Sequence, residues 1–265
     1  MASAEHQPLQ LWFLIKHSAP GGYSPAAEQV ISATTQIEPA GHNGRMQQNL
    51  TSPATHAELS AAAQDRELPA AVLTQWFGAA RVDDAMAMRH SQQWFTKSPA
   101  FDQQLRERFG IAVQAALGGA LQHWASHGAW ERLALVLLLD QFTRNIHRGQ
   151  PESFAGDAQA LALALEGMEL GQDRELPPVT RIFMYLPLEH SEEPGIQARS
   201  VAAFQALADE AAPASRDFFA NTLDYAHRHQ EVIARFGRFP HRNPILGRQS
   251  TAAEAEYLAQ PGAGF

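Results

Sequence analysis

Apolar residues along most of this chain recur at the three- and four-residue spacing of an α-helix. No segment shows a convincing alternation of apolar and polar residues with a period of two, which is the pattern of a half-buried strand. Short segments containing polar residues, glycine or proline join the helical stretches, and no exact internal repeat is present. We therefore predict an all-α fold of antiparallel helix pairs, arranged as a bundle or a solenoid-like stack.

Capping residues, glycines and prolines set the expected helix boundaries. Helices are predicted to start at Pro69, at Ser98 with Pro99, and at a capping box formed by Thr251 and Glu254. A stop is predicted at Gly110 and a break at Pro187. The predicted helices cover residues 68–77, 99–109, 111–124, 129–147, 152–170, 179–186, 196–207 and 215–236, with a last helix after residue 251.

Residues 1–67 differ in composition from the rest of the chain. Between Ser18 and Gln64 they consist largely of Ala, Ser, Thr, Gln, Pro and Gly, with few large apolar side chains. Such a segment cannot bury enough apolar surface to offset its ordering entropy. We predict a disordered extension over 1–67, in which Met46 offers an alternative translation start, and a single helical domain over 68–265.

Charge and composition exclude several classes of function. The formal net charge of −8 argues against a nucleic-acid partner, which usually binds a basic surface. The chain has no cysteine, which excludes disulfides, thiolate zinc sites and cysteine nucleophiles and is compatible with a reducing cytoplasm. No apolar run approaches the length of a membrane span. We expect a soluble, cytoplasmic protein without a membrane partner.

The predicted helix 129–147 carries charge on a face that should point into the core. With 3.6 residues per turn, Leu133 and Val136 share a face with Asp140 and Arg144. Buried charges must be paired or must meet a ligand. Two interpretations remain open: a structural Asp140–Arg144 pair four residues apart, or a ligand site. Asn145 and Arg148 extend this polar group as ligand-binding candidates.

The C-terminal part combines a histidine with an arginine-rich loop. His229 lies on the apolar face of helix 215–236, whereas His227 points to the opposite side. Between Glu231 and Glu254 there is no acidic residue. The ligand-binding candidates in this loop are Arg238, His241, Arg242, Asn243 and Arg248. The arginines can hold a carboxylate or phosphate, or they can pair with acids of neighbouring helices and fasten the loop.

A third group follows the predicted break at Pro187. There His190 stands between carboxylates, and a histidine oriented by a carboxylate such as Glu192 is the minimum arrangement for a general base. Tyr185, just before the break, is a ligand-binding candidate. His190 with His229 and His241 lacks a recognised metal spacing, so no metal is predicted and the cofactor is unknown. Neither a nucleophile elbow nor a glycine-rich phosphate loop is present.

These three groups resemble the bacterial domain-of-unknown-function family 924. The matching strings are residues 140–149, 185–192, His229 with 236–243, and the ending 261–265. The resemblance covers about residues 68–265 and implies an all-helical fold similar to tetratricopeptide proteins, with helix pairs stacked in a right-handed superhelix. It implies no activity. Two positions depart from the family pattern: Thr143 stands where proline is typical, and His147 where an aromatic residue is typical.

We predict that one shared pocket near the end of helix 129–147 binds a small anionic molecule. Its predicted lining is Arg144, His190, His229, Arg238, His241 and Arg242. The three arginines would hold the anion, while His190 with Glu192, and His229, would transfer protons as catalytic residues. Two alternatives stay open: a peptide- or protein-binding helical module that uses a concave surface, and a purely structural polar cluster. Whether the protein is an enzyme is also left open.

Overall fold

A computed structural model describes residues 56–264, with side chains from residue 67 onward. The described residues form α-helices, 3-10 turns and a π-helical segment without a strand, which confirms the all-α prediction. The helices are α1 (His56–Phe77), α2 (Asp84–Met88), α3 (Ser91–Phe95), α4 (Pro99–Leu117), α5 (Ala129–Val136), α6 (Thr143–Ile146), α7 (Asp157–Glu169), α8 (Pro178–Glu189), α9 (Pro194–Glu210), α10 (Arg216–Phe236) and α11 (Ala252–Leu258). None of these helices is long and apolar enough to cross a membrane.

Helix α1 begins earlier than the sequence pattern indicates. It starts at His56, so the prediction of a helix start at Pro69 was wrong, and Pro69 lies inside the helix. The preceding stretch is rich in alanine, the best helix former, and this propensity carries the helix across the proline. The predicted boundary between residues 67 and 68 therefore falls within α1. The remainder of the predicted extension, 1–55, lies outside the described residues.

The helix starts predicted from capping residues are confirmed, whereas the boundaries predicted from Gly110 and Pro187 are wrong. Ser98 accepts a hydrogen bond from the Phe101 amide at the start of α4, and Thr251 forms the predicted capping box at the start of α11. The predicted stop at Gly110 was wrong, because α4 continues to Leu117. Gly110 tolerates the helical conformation at a cost of about 1 kcal/mol, which the packing of the surrounding helix offsets.

The core is built around one helical rod that runs from α5 through a π-helical segment, Leu137–Phe142, into α6. Every residue from 132 to 143 is buried, and α1, α4, α7 and α8 pack around this rod. A helix buried on all sides has no solvent-facing stripe for its polar residues. The carboxylate of Asp140 thus lies in the interior of the protein.

The π-helical segment widens the rod directly before Arg144. The Thr143 hydroxyl donates a hydrogen bond to the Leu138 carbonyl at 2.7 Å, five residues back, and the Thr143 amide bonds the same carbonyl. Segments of this kind are rare and often occur at functional sites. The widening lies at the point where the apolar half of the rod becomes ionic.

Aromatic rings of α1, α3 and α8 fill the other side of the core. Phe183 contacts Trp76 and Phe77 edge-on, with ring centroids 5.5 and 5.4 Å apart, and its centroid lies 4.8 Å from that of Trp94. These contacts hold the middle of α8 against α1. The end of α8, which carries the candidate histidine, is positioned by this packing.

The predicted break at Pro187 was wrong. Proline removes one backbone donor, yet α8 continues through Pro187 to Glu189, because residues 182–189 are buried on all sides. His190 is therefore the C-cap of α8 and does not lie in a free loop. Helix α9 packs on both α8 and α10. The tetratricopeptide-like stacking of the helix pairs stays a prediction.

Candidate functional site: a buried Asp–His–Arg cluster

The Asp140 carboxylate and the His190 imidazole form a buried dyad. The Asp140 Oδ1 and His190 Nδ1 atoms are 2.7 Å apart, and the Gln141 amide donates to Asp140 Oδ2 at 2.5 Å. Burial alone would raise the pKa of Asp140, but the Arg144 guanidinium and His190 hold it well below its usual value. The carboxylate is therefore ionised at neutral pH.

The charge state of His190 follows from its surroundings. Burial and the nearby Arg144 cation lower the pKa of His190, against the opposing attraction of Asp140. The imidazole is thus neutral at pH 7. Because ionised Asp140 can only accept, Nδ1 of His190 carries the proton and Nε2 carries the lone pair. This is the tautomer that a general base needs.

Two arginines share a second carboxylate next to the dyad. Arg144 Nη1 lies 2.9 Å from Asp140 Oδ1 and 2.8 Å from Asp157 Oδ1. Arg242 Nη1 lies 3.3 Å from Asp157 Oδ2, and its Nη2 donates to the His190 carbonyl at 2.9 Å. The Phe154 ring lies 5.8 and 4.8 Å from the two guanidinium carbons. The Asp140–Arg144 pair thus exists as the sequence spacing indicates, within a larger network.

Gly156 brings Asp157 into this position. A Cβ atom at Gly156 would lie 2.1 Å from the Leu139 carbonyl oxygen, a distance that no side chain tolerates. The missing side chain lets the start of α7 approach the π-helical segment closely. Asp157, the next residue, then reaches Arg144 and Arg242.

Both guanidinium groups keep a donor that the protein does not use. Arg144 Nη2 and Arg242 Nε are buried and have no hydrogen-bond partner among the residues that the structure describes. Burial and repulsion by Arg144 lower the pKa of Arg242 to about 10, so Arg242 is still charged at pH 7. A buried donor without a partner is costly, and each such group calls for a water, an ion or a ligand.

His229 and Glu189 extend the cluster on the side of α10. His229 is buried and His227 exposed, as their positions on the helix predict. His229 Nδ1 donates to the Tyr225 carbonyl at 2.8 Å and lies 3.1 Å from Glu189 Oε1. Burial and the negative charge of Asp140 raise the pKa of Glu189 to about 8. Glu189 is therefore mostly protonated at neutral pH.

The His229 imidazole lies beside the dyad. Its ring centroid is 6.4 Å from that of His190 and 5.5 Å from that of Phe239. Burial lowers the pKa of His229 well below its ordinary value, so it is neutral at pH 7. His241 stacks against Phe239 with centroids 5.6 Å apart, and burial together with Arg242 lowers its pKa to about 4. Three neutral imidazoles thus surround the ion pairs.

One edge of the cluster reaches solvent. The side chains of His190, Arg144 and Asp157 are 15%, 18% and 23% exposed, whereas Asp140 is completely buried. A small molecule could therefore first contact the imidazole of His190, the guanidinium group of Arg144 and the carboxylate of Asp157. The carboxylate that orients the imidazole is shielded from water.

The shared pocket stays a prediction, and Arg238, one of its six predicted lining residues, lies elsewhere. Arg238 pairs with Glu254 at 2.6 Å and donates to the Gln249 carbonyl. It lines a separate surface groove of about 460 Å³ with Arg235 and Phe236. The prediction for Arg238 was wrong because the acid-free loop acquires its carboxylate partners from other parts of the chain, which the local sequence does not reveal.

The role predicted for Glu192 was also wrong. Glu192 accepts hydrogen bonds from Arg248 at 2.8 Å and from the Phe239 amide at 2.8 Å, and the carboxylate on His190 is that of Asp140. Asn243 accepts from Arg248 Nε and donates to Ser250. Glu192, Asn243 and Arg248 therefore fasten the loop, which is the alternative interpretation of its arginines.

Three further candidates lie apart from the dyad. Arg148 forms a two-point pair with Asp102 of α4 at 2.8 and 2.9 Å. Tyr185 donates to Asp173 at 2.6 Å, on the wall of a different cavity. Asn145 is half-buried, and its side chain forms no hydrogen bond with the dyad among the residues whose side chains are described. Neighbours in sequence thus point to different sides of α6 and α8.

Sequence reasoning missed Asp157 and Glu189. Asp157 is an acid in the first turn of a helix, a position so common for acids that it carries no signal. Glu189 directly precedes His190, but only the continuation of α8 through Pro187 shows that it is buried. Among the residues with described side chains, no group of three or more His, Asp or Glu residues is arranged to hold a metal ion.

Comparison with known proteins gives a family without assigned activity. No curated protein matches the chain. A solved structure of a protein of unknown function from Agrobacterium tumefaciens is similar, with 35% identity and a TM-score of 0.63, over 74% of this chain and 99% of that one. The profile of bacterial proteins of unknown function DUF924 matches residues 72–262, which include the whole cluster and confirm the resemblance seen in the sequence. The chain therefore belongs to the DUF924 family of bacterial proteins of unknown function.

Proposed function

We propose that this protein binds a small anionic molecule at Arg144 and Arg242, and that His190 acts on the bound molecule as a general base oriented by Asp140. The observation that carries the proposal is the pair of buried guanidinium donors without a partner, beside an oriented imidazole. A phosphate, sulfate or carboxylate oxygen is the natural acceptor for such donors. A cytoplasmic location and a small-molecule partner belong to the same proposal.

The electrostatics of the cluster favour an anion. Arg144 and Arg242 share Asp157 as an ionic partner, which places two cations next to each other. The repulsion between them contributes to the lowered pKa of Arg242. An anion placed between the guanidinium groups would relieve this repulsion and would satisfy the unused donors.

The chemistry follows from the tautomer of His190. With its Nδ1 proton held by Asp140, His190 offers Nε2 as the acceptor for a proton from a hydroxyl group or a water molecule on the bound ligand. The transferred proton gives an imidazolium that the Asp140 carboxylate stabilises. Proton transfer of this kind typically accelerates a reaction by 10² to 10⁴-fold, as an order of magnitude.

One specific observation favours a structural role instead. Asp140, Asp157, Arg144 and Arg242 balance in charge, and each of them already has an ionic partner. A closed ionic network fastens the rod to α7 and the C-terminal loop without any ligand. The two functions differ in whether an anion stabilises the folded protein.

Thermal unfolding with millimolar phosphate, sulfate or a dicarboxylate separates them. A ligand present at 100 times its dissociation constant stabilises the fold by about 2.7 kcal/mol. We expect at least one anion to raise the melting temperature of the wild type, and Arg242→Gln to lose this response. Arg238→Gln is the matched control, since Arg238 is a loop arginine with its own carboxylate partner away from the dyad.

Comparing variants also removes the general stabilisation that phosphate and sulfate give to any folded protein. An equal response in the wild type and both variants would refute the binding site. A melting temperature that falls in Arg242→Gln but responds to no anion in any variant would assign the cluster a structural role.

A further inference from the structure

A second cavity, of about 320 Å³, lies between the end of α7, the turn Gln172–Glu175, α8 and α9. Its volume falls in the range of small-molecule sites. None of its lining residues belongs to the Asp140–His190 cluster. Both polar and apolar groups form its wall, so it offers a ligand more than one kind of contact.

The polar end of this cavity is a buried carboxylate. Asp173 is only 5% exposed, and its Oδ2 accepts a hydrogen bond from the Tyr185 hydroxyl at 2.6 Å. Its other oxygen, Oδ1, is buried and has no hydrogen-bond partner among the residues that the structure describes. No arginine, lysine or histidine of that part of the chain forms an ion pair with Asp173. A carboxylate so placed is stabilised by a cationic donor such as an ammonium group.

The rim of the cavity carries cations that are not engaged. Arg174 and Arg199 are exposed and form no ion pair within the described residues, whereas Arg181 is held by Glu210 at 3.0 Å and by the Leu176 carbonyl. Guanidinium groups exposed at this cavity can bind a carboxylate with two parallel hydrogen bonds. A ligand with one cationic and one anionic group could thus pair each of them with an opposite charge in one cavity.

The remaining wall is apolar and built from small side chains. Ala202, Ala203 and Ala206 of α9 leave the space open, and Met168 and Leu207 border it. Short side chains on one helix face give room for an aliphatic group without a polar partner.

We propose that this cavity binds a free α-amino acid with an aliphatic side chain, with its ammonium group on Asp173 and its carboxylate on Arg199 or Arg174. The inference is independent of the function proposed for the Asp140–His190 cluster, because the two sites share no residue. The amino-acid class follows from three features together: the buried carboxylate of Asp173, the exposed arginines and the alanine wall.

Isothermal titration of the full chain with L-leucine, L-isoleucine, L-valine and L-methionine tests the proposal. We expect saturable binding of at least one of them. For L-leucine the matched probes are isopentylamine, which lacks the carboxylate, and 4-methylpentanoate, which lacks the ammonium group. Each should bind about tenfold more weakly or worse than the amino acid, since it forfeits one charged contact.

Substitutions test which residues bind the amino acid. Asp173→Asn keeps an acceptor for Tyr185 but removes the charge, and it should weaken binding about tenfold or more. Asp209→Asn, at an exposed position near the end of α9, should bind like the wild type. If Asp173→Asn does not fold, a double variant with Arg174→Gln and Arg199→Gln replaces it, because both arginines are exposed and their loss does not disturb the core. No saturable binding of any of the four amino acids, or unchanged binding in whichever of these two variants folds, would overturn the proposal.

Discussion

The buried acid Glu189 gives the protein a pH dependence that can be worked out from its surroundings. Burial and the neighbouring Asp140 charge raise the pKa of Glu189 from 4.5 to about 8 in the folded chain. Between these two values the folded protein holds a proton that the unfolded chain has released. The free energy of unfolding therefore falls as the pH rises through this window.

The comparison of the wild type with Glu189→Gln isolates this acid. The histidines of the cluster have lowered pKa values, so they add stability as the pH rises, and they still oppose Glu189 above pH 6.5 because imidazoles of the unfolded chain are half protonated at that pH. The variant keeps this histidine contribution. Integrating the linkage relation for Glu189 alone from pH 6.5 to 8 gives a loss of about 1.5 kcal/mol. Glu189→Gln carries no titratable proton and should remove this loss.

Urea unfolding at a series of pH values from 6.5 to 8 measures the effect. We expect the stability of the wild type relative to Glu189→Gln to fall by about 1.5 kcal/mol over this range. Glu231→Gln, at an exposed position of α10, is the matched control and should follow the wild type. A stability difference between the wild type and Glu189→Gln that stays constant from pH 6.5 to 8 would refute the assignment of a buried, protonated Glu189.

Further predictions concern the ion pairs, the close backbone contact and the imidazole. Arg144→Ala should lower the free energy of unfolding by about 3 kcal/mol, because it leaves the buried Asp140 carboxylate without its guanidinium partner, whereas Arg81→Ala, which breaks an exposed pair, should cost less than about 1 kcal/mol in the same urea titration. Gly156→Ala should lower the free energy of unfolding by about 2 kcal/mol or more through the clash with the Leu139 carbonyl. Gly195→Ala, with open space around its Cβ, should be neutral or stabilising, and equal effects of the two variants would contradict the close approach at Gly156. Nitrogen NMR of His190 at pH 7 should show a neutral ring protonated at Nδ1, and an even mixture of the two tautomers would contradict the dyad.

The sequence predicts the fold class and several boundaries because these depend on local chemistry. Ser98 and Thr251 cap their helices through atoms three residues away, so a short window contains the whole signal. The boundaries predicted at Gly110 and Pro187 were wrong because packing between distant parts of the chain decides them. Their intrinsic preferences are worth a few kcal/mol at most, and burial of the flanking helix outweighs them in α4 and α8.

The candidate site was predictable only where its partners are close in sequence. Asp140 and Arg144 lie one helical turn apart, and their pairing follows from that spacing. The oxygen on His190 comes from a residue fifty positions earlier, and the adjacent Glu192 was the more obvious candidate. Arg238 was misplaced for a related reason, since its carboxylate partner, Glu254, lies beyond the loop whose charge was counted.

The proposed anion would lie between Arg144 and Arg242 beside the imidazole of His190. Crystals soaked in selenate at pH 7 test it directly, since the anomalous signal of selenium locates the anion without reference to any structural assumption. We expect a selenate with oxygens about 2.7–3.2 Å from Arg144 Nη2 and Arg242 Nε. Selenate bound only at exposed arginines, with water or nothing on these two donors, would contradict it.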